Sequence, residues 1–435
     1  MQPLKSKLIS IRDLIVTAGP FLAVVALALG LAYFVVDPTP PRTMVLASGP
    51  EGSDYDLFAK RYQRLLARHG ITVKMQATQG SRDNLDLLIK PDSGVDAAFV
   101  RSGTATREET EQLSLESLGN LFYEPIWIFY RDGVNLDALT RLRGMNLNVG
   151  PKGSGGPRLA QALLRQNQVD VNDVKMSELG NTEAVVALLE GKLDALFFTS
   201  ASDGLLIQML LQTPGVKLFD FVQAEAYTRR MRSLSHVVLP RGVVDLARDM
   251  PPQDIHLVSP TSTLLARGDL HPALIDLLVQ AASDIHGRPD WFARAHEFPS
   301  GQSADFPVAK EATRFYRSGP PLLQRYLPFW LANLVERMWV VVLSMAALLI
   351  PVSRILPPLY EWRIRSRIYR WYAQLKAIER EAVAPDARDS VAEAGRLRLQ
   401  LDELENKVNH INVPLSYTDE VFFLRQHIEL VRSKL

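Results

Sequence analysis

The chain contains no cysteine, and this excludes disulfides, thiolate metal centres and cysteine nucleophiles at once. Charge of one sign is also missing: 49 Lys and Arg against 48 Asp and Glu leave a net +1, so nothing pulls the whole chain toward nucleic acid and every charge argument is local. Eight histidines, at 69, 236, 256, 271, 286, 296, 410 and 427, never fall at i, i+4 ligand spacing, and no carboxylate cluster accompanies them. No metal site is expected. No Gly-Lys-Ser/Thr closes the glycine-rich stretch at 150–156, and no Gly-x-Gly-x-x-Gly follows a strand with an acid downstream, so nucleotide loops are absent too. Without a short internal period, solenoids and propellers are excluded. Neither an enzyme nor a cofactor is implied. A length of 435 residues nevertheless allows two or three domains with full cores.

Against this even background two long uncharged stretches stand out. Leu14–Val36 runs 23 residues without a charge, which as a helix is about 35 Å long against a hydrocarbon core of roughly 30 Å. It is too long for the apolar part of a signal peptide and lacks a small-residue cleavage pattern, so an uncleaved anchor is expected. Met338–Ser353 adds 16 uncharged residues, extended on both sides into a second expected span at 333–356. Trp330 and Trp339 at one end, with Trp362 and Trp371 beyond the other, resemble interfacial belts. Lys5, Lys7 and Arg12 precede the first span, and Arg354, Arg363, Arg365, Arg367 and Arg370 follow the second. The positive-inside rule places both termini, 1–13 and 360–435, in the cytoplasm and the region between the spans outside.

That outer region alternates short apolar runs with helical patterns. Met44–Leu46, a helix at 55–68, Thr72–Met75, a helix at 83–89 and Ala97–Val100 spell βαβαβ, the grammar of an α/β domain with a largely parallel sheet. Leu121–Tyr123 and Ile126–Tyr130 read as continuous apolar strands crossing between lobes. A second α/β block begins after Arg131, and 237–239, 255–259 and the helix 272–286 are assigned back to the first lobe. The expectation is a two-lobed domain over 43–320, with lobe 1 at about 43–130 and 225–320 and lobe 2 at about 131–224. The tail is different in kind. Ile364, Ile368, Trp371, Leu375 and Ile378, then Leu397, Leu401, Leu404, Val408 and Ile411, keep heptad spacing on either side of a turn with Pro385. This predicts an antiparallel helical hairpin or coiled coil able to oligomerise, with Asn412-Val413-Pro414 ending the second helix and a short third helix at 419–431.

Four loops follow strand ends, where open α/β sheets bind ligands. They hold Gly52, Ser53 and Tyr55; Gly80, Ser81 and Asn84, with Ser81 as N-cap; Arg101; and Gly153, Ser154 and Gly155. Each brings backbone N–H groups or short polar side chains to a helix start, which suits an anion or a polar ligand without covalent chemistry. Glu124 and Asp194 read as structural charges.

Gly49-Pro50-Glu51-Gly52-Ser53-Asp54-Tyr55, Gly80 through Leu85, Leu118 through Trp127 and Gly144 through Gly155 occur in an order and spacing that resembles the TAXI family of solute-binding proteins of tripartite TRAP transporters. The resemblance covers residues 43 to about 300. It implies a two-lobed periplasmic-binding-protein fold of type II, a small carboxylate held between the lobes, and hinge closure. The sequence differs from the family at Ser53-Asp54 before the tyrosine, at Arg101 where glutamine is usual, and at Gly156, which ends the fourth motif. The expected function is therefore capture of a small anionic or zwitterionic metabolite outside a bacterial inner membrane. The chain would present it to transporter permease subunits or report it to a cytoplasmic partner through the second span and the tail. The alternative is a membrane scaffold or sensor of the same fold that works through its helices and tail without transport.

Overall fold

The computed structural model describes residues 11–36, 40–112, 114–201, 204–302, 305–320, 323, 326–383, 391–410 and 417–435. Lys5, Lys7, the Pro385 turn and Asn412-Val413-Pro414 lie outside the described residues, as do the side chains of Arg12 and Trp330. Two compact units emerge: Thr39–Asn333, and Met1–Pro38 together with Leu334–Leu435.

In the second unit, α1 (Ile11–Val36) is one helix containing Pro20. Both expected spans fall in helices, the first in α1 and the second in a long helix described below. Among the described residues, however, no helix is long and apolar enough to cross a membrane.

The Thr39–Asn333 unit is built from two sheets. Its first lobe runs β1 (Thr43–Ala47), α2 (Asp54–Ala67), β2 (Thr72–Gln76), α3 (Ser81–Ile89), β3 (Ala97–Arg101), α4 (Arg107–Gln112) and β4 (Leu115–Tyr123). All five residues of β3 are buried, the pattern of a strand covered on both faces. The second lobe runs β5 (Ile126–Arg131), β6 (Asn146–Asn148), α5 (Gly156–Gln166), β7 (Lys175–Ser177), α6 (Asn181–Leu189), β8 (Ala195–Thr199), α7 (Leu205–Leu211), β9 (Val216–Leu218), α8 (Ala224–Arg230), β10 (Ser235–Leu239) and β11 (Ile255–Ser259). The chain then returns through β12 (Thr261–Arg267), α9 (Pro272–His286) and α10 (Lys310–Ser318).

The sheets have orders β2-β1-β3-β12-β4 and β7-β6-β8-β5-β9. In each, the strand at the fourth place is antiparallel to its neighbours: β12 beside β3 and β4, and β5 beside β8 and β9. Those are the two strands that arrive from the other lobe. The crossings lie side by side, with Glu124 N donating to Pro260 O at 3.0 Å and Thr261 pairing with Tyr123. This is a two-lobed α/β arrangement with one five-stranded mixed sheet in each lobe.

Two assignments made from the sequence are corrected. Ile126–Tyr130, expected as a crossing at the end of lobe 1, is an inner strand of the second sheet; a continuous apolar run announces burial on both faces but not which sheet supplies it. The β10–β11 hairpin, also expected in lobe 1, buries Val237, Leu239, Leu257 and Val258 in one cluster with Trp127, Leu196 and Phe221. Its alternating apolar residues match the second lobe's aromatic edge, and the return crossing comes only at Pro260.

The remaining helices are α11 (Phe329–Val383), α12 (Val391–Asn409) and α13 (Thr418–Arg432). Ile364, Ile368 and Leu375 of α11, Leu401, Leu404 and Val408 of α12, and Val421, Leu424, Ile428 and Val431 of α13 share one buried cluster. The tail is thus a three-helix cluster rather than a two-stripe hairpin. The short third segment closes an apolar seam that two helices alone would leave wet.

Candidate functional site

The strand ends of the two lobes enclose a cavity of about 700 Å³, within the range typical of small-molecule sites. The first wall begins at the turn before α2. Gly52 holds φ +77°, a left-handed conformation that glycine adopts without strain. Ser53 then caps the helix, its Oγ accepting from Asp56 N at 3.4 Å. Tyr55, in the first turn of α2, stacks on Phe99 with ring centroids 5.4 Å apart and donates its hydroxyl to Glu124 Oε1 at 2.5 Å. Burial and then the Glu124 charge push the Tyr55 phenol well above its ordinary range, so it stays a donor.

Arg101 ends β3 at the same wall, only 5% exposed. Its backbone N–H donates to Ser81 Oγ at 2.8 Å, its Nε lies 3.2 Å from Glu124 Oε2, and its Nη2 donates to Ser154 O in the second lobe at 2.6 Å. Glu124 is therefore part of the site: it sits on the crossing, 4% exposed, between Tyr55 and Arg101. Sequence reasoning took it for a structural charge because a lone Glu before Pro carries no sign of what it will face.

Of the ten residues singled out from the sequence, Gly52, Ser53, Tyr55, Gly80, Ser81, Arg101 and Ser154 line the cavity. The other three stand behind it. Asn84 is fully buried and donates to Phe99 O at 2.8 Å, holding β3 to α3. Gly153 turns its carbonyl to the other lobe, accepting from Arg82 N at 2.9 Å and Asp83 N at 3.3 Å, so it occupies the start of α3 where an anion would otherwise sit. Gly155, at φ +80°, is the N-cap of α5 and passes beneath Arg101; a Cβ there would lie 3.3 Å from Nη2. Ser81 is the first residue of α3 and Gly80 its N-cap, so the expected serine cap is corrected. Thr78 Oγ1 accepts from Gly80 N at 3.1 Å, which leaves the Ser81 hydroxyl to hold Arg101 N and to pair with Thr104 Oγ1 at 2.8 Å.

The second wall was largely missed. Asn181 and Thr182 at the start of α6, Phe197–Ser200 at the end of β8 and Leu205–Ile207 at the start of α7 all line the cavity. The signal was present, since Gly180-Asn181-Thr182 also follows a strand and opens a helix. Asp54 reaches across as well: its Oδ2 accepts from Ser200 Oγ and Ala201 N, both at 2.8 Å. Among the described residues no group of three or more His, Asp or Glu is placed to hold a metal ion. What the arrangement provides is one buried cation, its counter-ion, helix N-termini and an apolar patch.

Comparison with solved structures gives matches of low identity. The periplasmic aliphatic sulphonate-binding protein of Escherichia coli is 15% identical, with 68% of this chain and 79% of that one covered and a TM-score of 0.38. A nutrient-binding protein of Burkholderia cenocepacia bound to methionine is 14% identical, with 63% and 95% covered and a TM-score of 0.34. An L-cystine ABC transporter protein of Listeria monocytogenes is 13% identical, with 56% and 90% covered and a TM-score of 0.37. No curated protein matches the chain. The model of the NMT1-like family matches residues 47–286, the stretch that carries every wall of the cavity, and the chain belongs to that family.

Proposed function

We propose that the chain is a membrane-anchored solute-binding receptor of the TAXI/TRAP type, holding a small anionic or zwitterionic metabolite between its lobes and performing no covalent chemistry. The observation that carries this is the cavity itself, framed by strand-end loops of both lobes and bordered by a buried Arg101. Three or four charge-assisted hydrogen bonds of about 1.5–3 kcal/mol each suffice for micromolar affinity, roughly 8 kcal/mol. Anchoring is supported by apolar residues left exposed along α1, among them Leu27 at 74% and Phe34 at 84%. Titration calorimetry of the full chain, freed of ligand, against amino acids, small carboxylates and sulfonates should give at least one micromolar ligand. The joint substitution Ser53→Ala, Tyr55→Phe should weaken that ligand about tenfold. Absence of binding across the library by folded protein sinks the proposal.

A second reading, a sensor or scaffold that signals through its tail, draws on the contacts by which the lobes already meet through their own groups: Asp54 to Ser200, Gly153 to the start of α3, and Arg101 to Ser154. It gains if the same calorimetry is blank and the tail captures a cytoplasmic partner.

A further inference from the structure

We infer that the cleft selects an organic monoanion with an apolar body, seated with its charged end at Arg101. This rests on the cleft being a solute site. Arg101 Nη1 and Nε are buried and have no hydrogen-bond partner among the described residues; Nη2 is taken by Ser154 O, and Glu124 Oε2 stands beside Nε as an ion pair without a hydrogen bond. A buried guanidinium N–H is costly to leave unmet, and Arg101 lines the cavity, so an acceptor supplied by a guest drawn in against this side chain is what the wall lacks. Glu124 cannot be that acceptor, because its two oxygens already face Tyr55 and Nε. The N-terminus of α6, capped by Gly180 without a side-chain bond, borders the same cavity and favours negative charge.

The rest of the guest is set by the opposite wall. Phe197, Phe198, Leu205, Leu206 and Ile207 present apolar surface, and no carboxylate occurs among the second lobe's lining residues. On the first wall Asp54 is directed at Ser200 and Ala201, and Glu51 is exposed. An ammonium group placed against the apolar wall would lose its water without gaining a charged partner. Zwitterions are thereby disfavoured relative to plain anions of the same length.

The test uses the full chain in nanodiscs of phosphatidylcholine, with empty discs as blank and calorimetry as readout. The probes are butanoate, hexanoate, hexane-1-sulfonate, 6-aminohexanoate and hexanamide. Affinity should rise roughly fourfold per added methylene from butanoate to hexanoate, and 6-aminohexanoate and hexanamide should bind at least tenfold more weakly than hexanoate. Arg101→Gln should lose tenfold or more for the anions. Because that variant leaves Glu124 alone in the wall, Arg101→Gln with Glu124→Gln is measured beside it, with melting curves to establish folding. Equal or tighter binding of 6-aminohexanoate, affinity that ignores chain length, or full affinity in the folded double variant overturns the inference. If amino acids bind and monoanions do not, the cleft remains a solute site and this inference alone falls. If nothing binds, both fall.

Discussion

His286 shows how two opposing effects are decided at the scale of a residue. It ends α9, where the helix dipole favours a protonated imidazole by about 0.3–1 kcal/mol. It is also buried, with its ring 4.5 Å from that of Phe58 and 5.4 Å from that of Phe122. Burial wins, helped by the nearby Arg61 charge, and the imidazole is pushed down to about 3. In the unfolded chain a histidine titrates near 6.5. Between those values the unfolded chain binds the extra proton, so stability is lost as pH falls below 6.5 and continues to fall toward 3. Denaturant titration of the Thr39–Asn333 unit within the full chain should show about 2 kcal/mol lost between pH 6.5 and 5 from this group, and His286→Phe, which keeps a ring in place, should flatten that part of the profile. An unchanged slope in the variant assigns the acid sensitivity elsewhere. Residues of this kind are illegible in sequence, since a lone His at a helix end gives no sign of the aromatic rings that will cover it. Arg101 was more legible: it follows a four-residue apolar run and therefore had to emerge at a sheet's carboxyl edge.

At the scale of elements, the loop before α5 and the start of α3 act as one device. Gly153 holds φ +87°, and a side chain there would run into the Asp83 carboxylate, so both its conformation and its neighbour require glycine. Gly153→Ala should open the contact between Gly153 O and the first N–H groups of α3. The expected outcome is ligand affinity about tenfold lower and a larger radius of gyration by solution scattering, with the melting temperature shifted by only a few degrees. Tight binding with unchanged scattering would show that the lobes do not depend on this contact. The loop's glycines were readable from sequence as turn residues. That one of them serves the opposite lobe was not, because nothing local records which helix start its carbonyl will meet. The hairpin 235–259 failed for the same reason: its alternation specified a strand pair, and only the aromatic edge at Phe219 and Phe221 decided which lobe receives it.

At the scale of the whole molecule, the two units invite an experiment on topology. Under the proposed arrangement, with 43–320 outside and 360–435 inside, the chain should stay in the membrane pellet after alkaline carbonate. Proteinase K added to spheroplasts should digest the two-lobed unit and spare a tail fragment detectable by an antibody to 418–432. Release by carbonate, or a digested tail beside an intact two-lobed unit, reverses or removes the anchoring. The α/β class and the two-block organisation were legible because period and burial pattern travel along the chain. Lobe boundaries were not, because sheet membership is settled by strands that arrive from elsewhere.

The paired crossings at Glu124 and Pro260 have a mechanical consequence. Under the proposed hinge closure the lobes would turn about these strands, with Glu124 at the fulcrum. The residue that balances Arg101 is thus also the pivot pin. On that reading a charge arriving at Arg101 would act directly on the pivot.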